Sequence, residues 1–162
     1  MSIINSLTIL IDRREQKPWT WSEPGIATQP ASLPTGDYSL AGHSDRIAIE
    51  RKSLDDLAQT VIKDQRRWHA ELRRMAALDD ACIIIEGSVA DLFNHRYRCG
   101  AKPQAVLGRV LSAQIDFGIP AYFACNRPIA RALATAWLRL CLKRLDQAGR
   151  LDRTGNPPSP NG

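Results

Sequence analysis

The chain has 162 residues, 44% of them hydrophobic and 24% charged, which suits one compact soluble domain with a full apolar core. No apolar run approaches the ~20 residues of a membrane span, and no basic stretch leads into a signal-type apolar segment. Cys82, Cys99, Cys125 and Cys141 form no CxxC pair, and the histidines His43, His69 and His95 are scattered, which argues against a disulfide scaffold or a zinc module. The expectation is a cytoplasmic protein with reduced thiols and no small-molecule cofactor. A net charge of +5 and a sequence pI near 9.3 admit a polyanionic partner. Of the 22 basic residues 17 are arginine, which suits bidentate phosphate contacts but also follows from GC-rich coding.

In chain order, Leu7 to Ile11 is an apolar, β-branched run ending at Asp12 and reads as a buried strand. Residues 13 to 35 are polar and carry prolines, a loop with room for a short strand. Gly36 punctuates a second strand, Asp37 to Leu40, and a turn follows at residues 42–45. Arg46 to Lys52 alternates as a third strand, with Ile47 and Ile49 on one face and Ala48, Glu50 and Lys52 on the other. Ser53 is placed to cap a helix carrying Leu54, Leu57, Val61 and Ile62. A second helix bears Trp68, Leu72 and Met75 on one stripe, ringed by Arg66, Arg67, Arg73 and Arg74. Ala81 to Ile85 is another buried strand, closed by Glu86 and Gly87. A helix over residues 103–117, a strand over 121–124 and a long helix from Pro128 to about Gln147 complete the series, the last with Ile129, Leu133, Trp137 and Leu140 on its apolar face. This pattern predicts an α/β fold with a central mixed sheet flanked by helices. Residues 1–148 form one domain, and the Pro-, Gly- and Asn-rich tail, 149–162, is expected to be disordered.

The chemistry concentrates between Asp37 and Asp56. Asp37 and Glu50 lie on successive strands joined by a turn, so a hairpin brings both carboxylates together, with Lys52 beside Glu50. Uncompensated charges removed from water cost several kcal/mol, so gathered carboxylates imply a counter-ion. A hard divalent cation accepts one or two carboxylates and keeps its waters for substrate. Lys52 would orient or deprotonate an attacking water, or stabilise charge developing on a phosphorane. An acid followed by acid-x-Lys on the next strand is the layout of the PD-(D/E)xK nucleases.

The fuller sequence carries more. Asp12-Arg13-Arg14-Glu15 reads D-x-R-E, Gly36-Asp37-Tyr38 reads G-D-Y, and Glu50-Arg51-Lys52 followed by Asp56 reads E-R-K-x-x-x-D. Together these resemble the XPF-type structure-specific endonuclease family, over roughly residues 7 to 145. The resemblance implies a restriction-endonuclease-like (PD-(D/E)xK) core and a Mg²⁺- or Mn²⁺-dependent DNA endonuclease selective for flap, fork or junction structure rather than sequence. It implies that Asp12, Asp37 and Glu50 surround the metal, that Arg51 and Lys52 serve the scissile phosphate, and that Asp56 and Arg14 belong to the catalytic set. It also implies a homodimer formed by the helices over 103–117 and after Pro128. Phosphate contacts are expected from Arg66, Arg67, Arg73, Arg74, Arg96 and Arg98.

Plainer roles stand beside several of these. Asp56 lies three residues after Ser53 and could complete a capping box. Arg14 and Glu15 could be a surface ion pair, Trp19 and Trp21 could cover a core edge, and Glu86 could be structural. An alternative function is a non-catalytic DNA-binding partner subunit, although such partners have typically lost the acids or the lysine present here. A fortuitous motif on a basic scaffold is the more distant alternative. With no segment resembling a helix-hairpin-helix module or a helicase, the expectation is a stand-alone nuclease domain in a prokaryotic or viral, nucleoid-associated setting.

Overall fold

A computed structural model describes residues 6–63 and 65–149. Apart from Gly149 at the end of the last helix, the expected tail lies outside the described residues. Strand β1 (Leu7–Asp12) is followed by β2 (Ile26–Ala31), β3 (Tyr38–Leu40) and β4 (Ile47–Ser53). Helices α1 (Leu54–Ile62) and α2 (Gln65–Ala76) precede β5 (Asp80–Glu86). The short α3 (Val89–Phe93), α4 (Pro103–Phe117), β6 (Ala121–Phe123) and α5 (Arg127–Gly149) complete the order. The six strands form one sheet in the order β2-β1-β3-β4-β5-β6. Strand β3 is antiparallel to β1 and β4, while the β1–β2, β4–β5 and β5–β6 pairs are parallel.

Alternation along β5 divides the core between the two faces of the sheet. Ile83 and Ile85 pack with α1, α2 and α4 through Leu57, Leu72, Trp68 and Val106. Cys82 and Ile84 pack on the other face with Ile47, Ile49, Tyr38 and α5. Trp19 and Trp21 extend that second core: the Trp19 ring stacks on Tyr38 at 4.6 Å, and Trp21 meets it edge-on. The two tryptophans therefore close a core edge, the plainer of the roles open to them. Among the described residues no helix is long and apolar enough to cross a membrane.

Three local features refine or depart from the pattern expected. The stretch from 13 to 35 holds a full strand, β2, which the mixed polar sequence Ile-Ala-Thr-Gln-Pro-Ala disguises because an edge strand need not bury either face. Helix α3 is nucleated by a capping box, with Ser88 and Asp91 each hydrogen-bonded to the other's backbone. The buried stripe of α5 is Ala130, Ala134, Leu138 and Cys141, whereas Ile129 and Leu140 are exposed and Leu133 and Trp137 half-buried. Small alanines allow the helix close to the sheet, so the bulkier apolar row is rotated to its flank.

Candidate active site

Three consecutive decisions of the backbone bring the acids together. Gly36 adopts φ +77°, a left-handed conformation that other residues avoid, and a Cβ there would meet the Ala48 Cβ at 2.9 Å and the Ile49 oxygen at 3.0 Å. That close approach lets the Asp37 amide donate to the Ile49 carbonyl at 2.8 Å, while the Asp37 carboxylate accepts the Arg51 amide at 2.8 Å. Asp37 is thus fastened through backbone and side chain to the strand that carries Glu50 and Lys52. Lys52 donates from Nζ to Glu50 Oε1 at 3.1 Å and lies 5.5 Å from the Trp68 ring centroid, within cation–π reach.

Two adjoining cavities meet at these residues. The larger, about 410 Å³, is bordered by Arg14, Glu15, Asp37, Glu50, Lys52 and Asp56, with Arg51 and Arg98 also at its wall. The smaller, about 260 Å³, shares Glu50, Lys52 and Asp56 and adds Arg67, Trp68 and Glu71. Burial, and next the charge of Glu50, push the Asp37 carboxyl up to about 8. Burial pushes Glu50 up as well, against the favourable charge of Lys52. Such a site binds protons or cations in preference to standing as two bare carboxylates.

The sequence candidates divide clearly. Asp37, Glu50, Lys52, Asp56 and Arg14 all border the larger cavity. Asp12 lies beside Asp37 in the sheet, its amide donating to the Asp37 carbonyl at 2.8 Å, but its side chain is turned to Arg14 and the Leu33 turn and does not border the cavity. Its Oδ1 accepts the Arg14 amide and Nε at 2.9 and 2.7 Å, and its Oδ2 accepts Arg14 NH2 at 3.0 Å and the Leu33 amide at 2.8 Å. The Arg14 side chain, with the other bonds, holds the Asp12 carboxyl down at about 2, so Asp12 anchors Arg14 and the Leu33 turn. Arg51 borders the cavity, yet its guanidinium is occupied by both oxygens of Glu86 at 2.8 Å and by Glu15 at 3.5 Å. Ser53 caps α1 by accepting the Asp56 amide at 3.1 Å and donates its hydroxyl to the Asp56 carboxylate at 2.7 Å. The Ser53 amide makes no bond to that carboxylate, so the capping box expected of Asp56 is not completed and its side chain stands at the cavity. Of the arginines proposed for phosphate contact, Arg67 and Arg98 stand at the cavity walls, while Arg66, Arg73, Arg74 and Arg96 are exposed and line neither. Arg98 is drawn to α1 by Asp55, which accepts its amide at 2.8 Å and its Nε at 3.1 Å.

Two further acids of the site have partners that the motif does not disclose. Glu15 pairs with Arg51 and not with Arg14, is almost wholly buried, and its charge raises both Asp37 and Glu50. Its signal was its place in D-x-R-E. Glu71 reaches from α2 to the turn before Asp37, and its signal was being the single acid of a helix otherwise rich in arginine. Glu86, by contrast, is a structural acid: it accepts Arg51, Arg127 and the Trp19 indole at 2.7 Å, tying the loop of Trp19 to the ends of β5 and α5.

Among the described residues no three His, Cys, Asp or Glu side chains converge tightly enough to enclose a metal ion. The donor set still fits a hard divalent cation, because Mg²⁺ takes one or two carboxylates and retains water. The proton-hungry Asp37 and Glu50 are that kind of pair.

Comparison with known proteins agrees with this geometry. Residues 11–130 match the family model described as the ERCC4 domain. A putative ATP-dependent RNA helicase of Methanocaldococcus jannaschii is 28% identical over 120 residues, 74% of this chain and 14% of that protein. The 3′-flap repair endonuclease Xpf of Saccharolobus solfataricus is 25% identical over 125 residues, 75% of this chain and 50% of that protein. The chain thus spans half or less of the length of these curated relatives. Among solved structures, XPF from Aeropyrum pernix aligns with TM-score 0.64 at 25% identity, covering 83% of this chain and 61% of the other. The same protein in complex with DNA aligns with TM-score 0.60 at 26% identity, covering 90% and 68%. The six-stranded mixed sheet with its flanking helices is the restriction-endonuclease-like fold of XPF nuclease domains. The chain belongs to the ERCC4 domain family.

Proposed function

We propose that the protein is a divalent-metal-dependent DNA endonuclease that hydrolyses phosphodiesters at branched or flapped duplexes. The observation that carries this reading is the fastening of Asp37 to the Glu50–Lys52 strand, which sets two half-buried carboxylates and an ammonium around one cavity. Asp37 and Glu50 would hold Mg²⁺ or Mn²⁺, which when bound neutralises phosphate charge and lowers the pKa of a coordinated water. Lys52, at the same wall, orients the attacking water and balances charge on the pentacovalent phosphorane as the leaving oxygen departs. Glu50 keeps the Lys52 ammonium in place through its 3.1 Å bond. Arg14, exposed but anchored by Asp12, offers its guanidinium edge to a neighbouring phosphate. Arg51 acts indirectly, by holding Glu15 and Glu86 in position. Asp56, in the first turn of α1 and bonded to the Ser53 hydroxyl, supplies acidic charge at the far wall.

DNA would be held by the basic residues around the cavities, with Arg67 and Arg98 nearest the acids and Arg66, Arg73, Arg74 and Arg96 tracking the backbone beyond. Phosphate contacts locate the strand and carry no base sequence. The expected selectivity is therefore for structures that bend easily into the cleft. The Saccharolobus relative is named a 3′-flap repair endonuclease, which supports a flapped substrate, and the Aeropyrum protein solved with DNA supports DNA as the ligand. The protein also pairs with a second copy through α4 and α5.

The test is to incubate purified protein with labelled duplex, flap, fork and four-way junction DNA of varied sequence, with Mg²⁺, Mn²⁺ or EDTA. Metal-dependent nicking of the branched substrates is expected. Binding without cleavage in every metal would instead mark a non-catalytic DNA-binding subunit.

A further inference from the structure

Glu71 sits on α2, remote in sequence from every motif residue, yet its carboxylate is directed at the turn that precedes Asp37. One oxygen accepts the Thr35 hydroxyl and, at 3.3 Å, the Gly36 amide; the other accepts the Arg74 guanidinium. Thr35 is buried, 5% exposed, and Gly36 is buried too, so both donors would otherwise lack a partner in a place water reaches poorly. Gly36 is also the residue whose φ of +77° admits the close contact with Ala48 and Ile49. Burial pushes the Glu71 carboxyl up, but the bonds from Thr35 and Arg74 outweigh it and the group stays below its ordinary range, ionised as the acceptor the turn requires. The same carboxylate borders the cavity of about 260 Å³ that Glu50 and Lys52 share with the larger one.

We propose that Glu71 is a positioning residue of the hydrolytic site, clamping the Thr35–Gly36 turn from α2 so that Asp37 is presented beside Glu50. The inference rests on the endonuclease reading for its consequence, and on the hydrogen bonds for its cause. A side chain that orients a metal-binding carboxylate from behind is worth roughly 10–100-fold in metal affinity or activity. The clamp also joins the arginine-bearing helix to the acids, since Arg74 and the turn hold opposite oxygens of one carboxylate.

The test measures Mn²⁺ affinity by calorimetry, cleavage of a labelled flap at subsaturating Mn²⁺, and DNA affinity in EDTA, for four proteins beside the wild type. Glu71→Ala removes both acceptor bonds and should weaken Mn²⁺ binding and cleavage together, by roughly 10–100-fold, with DNA affinity little changed. Glu71→Gln keeps an oxygen for Thr35 and Gly36 and should stay close to wild type. Thr35→Val removes one donor from the other side of the clamp and should fall between them. The Thr35→Val, Glu71→Ala double variant should be no worse than Glu71→Ala, the mark of two groups acting through one contact. If Glu71→Ala does not fold, Thr35→Val carries the same test without altering α2. A wild-type protein that cleaves while Glu71→Ala and Thr35→Val bind Mn²⁺ and cleave as it does overturns the inference and leaves the nuclease reading standing. Equal impairment of Glu71→Ala and Glu71→Gln overturns it too, because charge and not the clamp would then matter. A wild type that binds Mn²⁺ but cuts nothing defeats the nuclease reading, and the Mn²⁺ affinities still decide the clamp. A wild type that neither binds Mn²⁺ nor cuts overturns both.

Discussion

Because burial and Glu50 raise the Asp37 carboxyl from 3.8 to about 8, the metal-free folded protein keeps a proton there that the unfolded chain gives up near pH 4. Between those values the folded state binds more protons than the unfolded one, so stability falls as pH rises through the window from about 4 to about 8. Thermal melts in EDTA should therefore give a lower Tm at pH 8.5 than at pH 6, and Mn²⁺ should raise Tm more at the higher pH. A Tm in EDTA that climbs steadily from pH 6 to 8.5 would show that these acids do not repel each other as the geometry requires. Asp37→Asn removes one of the like charges while keeping an acceptor for the Arg51 amide, and should raise metal-free stability at pH 8 by about 1–2 kcal/mol.

At the scale of elements, the turn before β3 and the ion network behind β4 decide the shape of the site. Gly36→Ala adds a Cβ 2.9 Å from Ala48 at a positive φ and should destabilise the protein by about 2–4 kcal/mol in urea denaturation. An unchanged midpoint would mean that β3 and β4 do not approach as closely as described. Glu86→Ala leaves the Arg51 guanidinium, whose side chain is 8% exposed, with only the longer 3.5 Å pair to Glu15, and should cost about 3 kcal/mol, with Glu86→Gln milder. This is also where sequence and structure part. The strand carrying Glu50 and Lys52, the cap at Ser53 and the buried run of β5 were legible, because each rests on local periodicity or on one capping residue. Strand β2 was legible only as room for a short strand between residues 13 and 35, because an edge strand lacks the apolar alternation that marks a buried one. The motif named Asp37, Glu50, Lys52 and Asp56, which all border the cavity, but the long-range partners of Asp12, Arg51 and Glu71 lie 21 to 36 residues away in the chain. No local pattern records those. The apolar row Ile129, Leu133, Trp137 and Leu140 was legible as a helical stripe, yet which stripe faces the sheet was settled by the small size of Ala130 and Ala134.

For the whole molecule, that displaced row has a consequence. Ile115 is 77% and Leu140 67% exposed, with Leu111 and Ile129 also exposed on the same two helices. Apolar side chains left open on α4 and α5 are what an isologous dimer would cover. Light scattering at micromolar concentration should give a mass near twice the 18.0 kDa of one chain, and Ile115→Asp with Leu140→Asp should return it to the monomer. A monomeric wild type would contradict the pairing. DNA affinity should fall steeply with salt, by about 0.9 in the slope of log K for each phosphate neutralised. Replacing Arg67 and Arg98 together should lower that slope by about two and weaken all sequences alike.

On the proposed reading, Asp37 and Glu50, held against Lys52, form the site at which DNA is hydrolysed. The most direct measurement is cleavage of an end-labelled flap substrate in Mg²⁺ and Mn²⁺ by wild-type protein and by Asp37→Asn, Glu50→Gln and Lys52→Ala, all purified free of contaminating nuclease and matched for DNA binding in EDTA. The wild type should nick the substrate near the branch in either metal and not in EDTA, while each variant binds DNA and cuts no more than the EDTA control. Wild-type rates of cleavage by the purified Asp37→Asn protein would contradict the account.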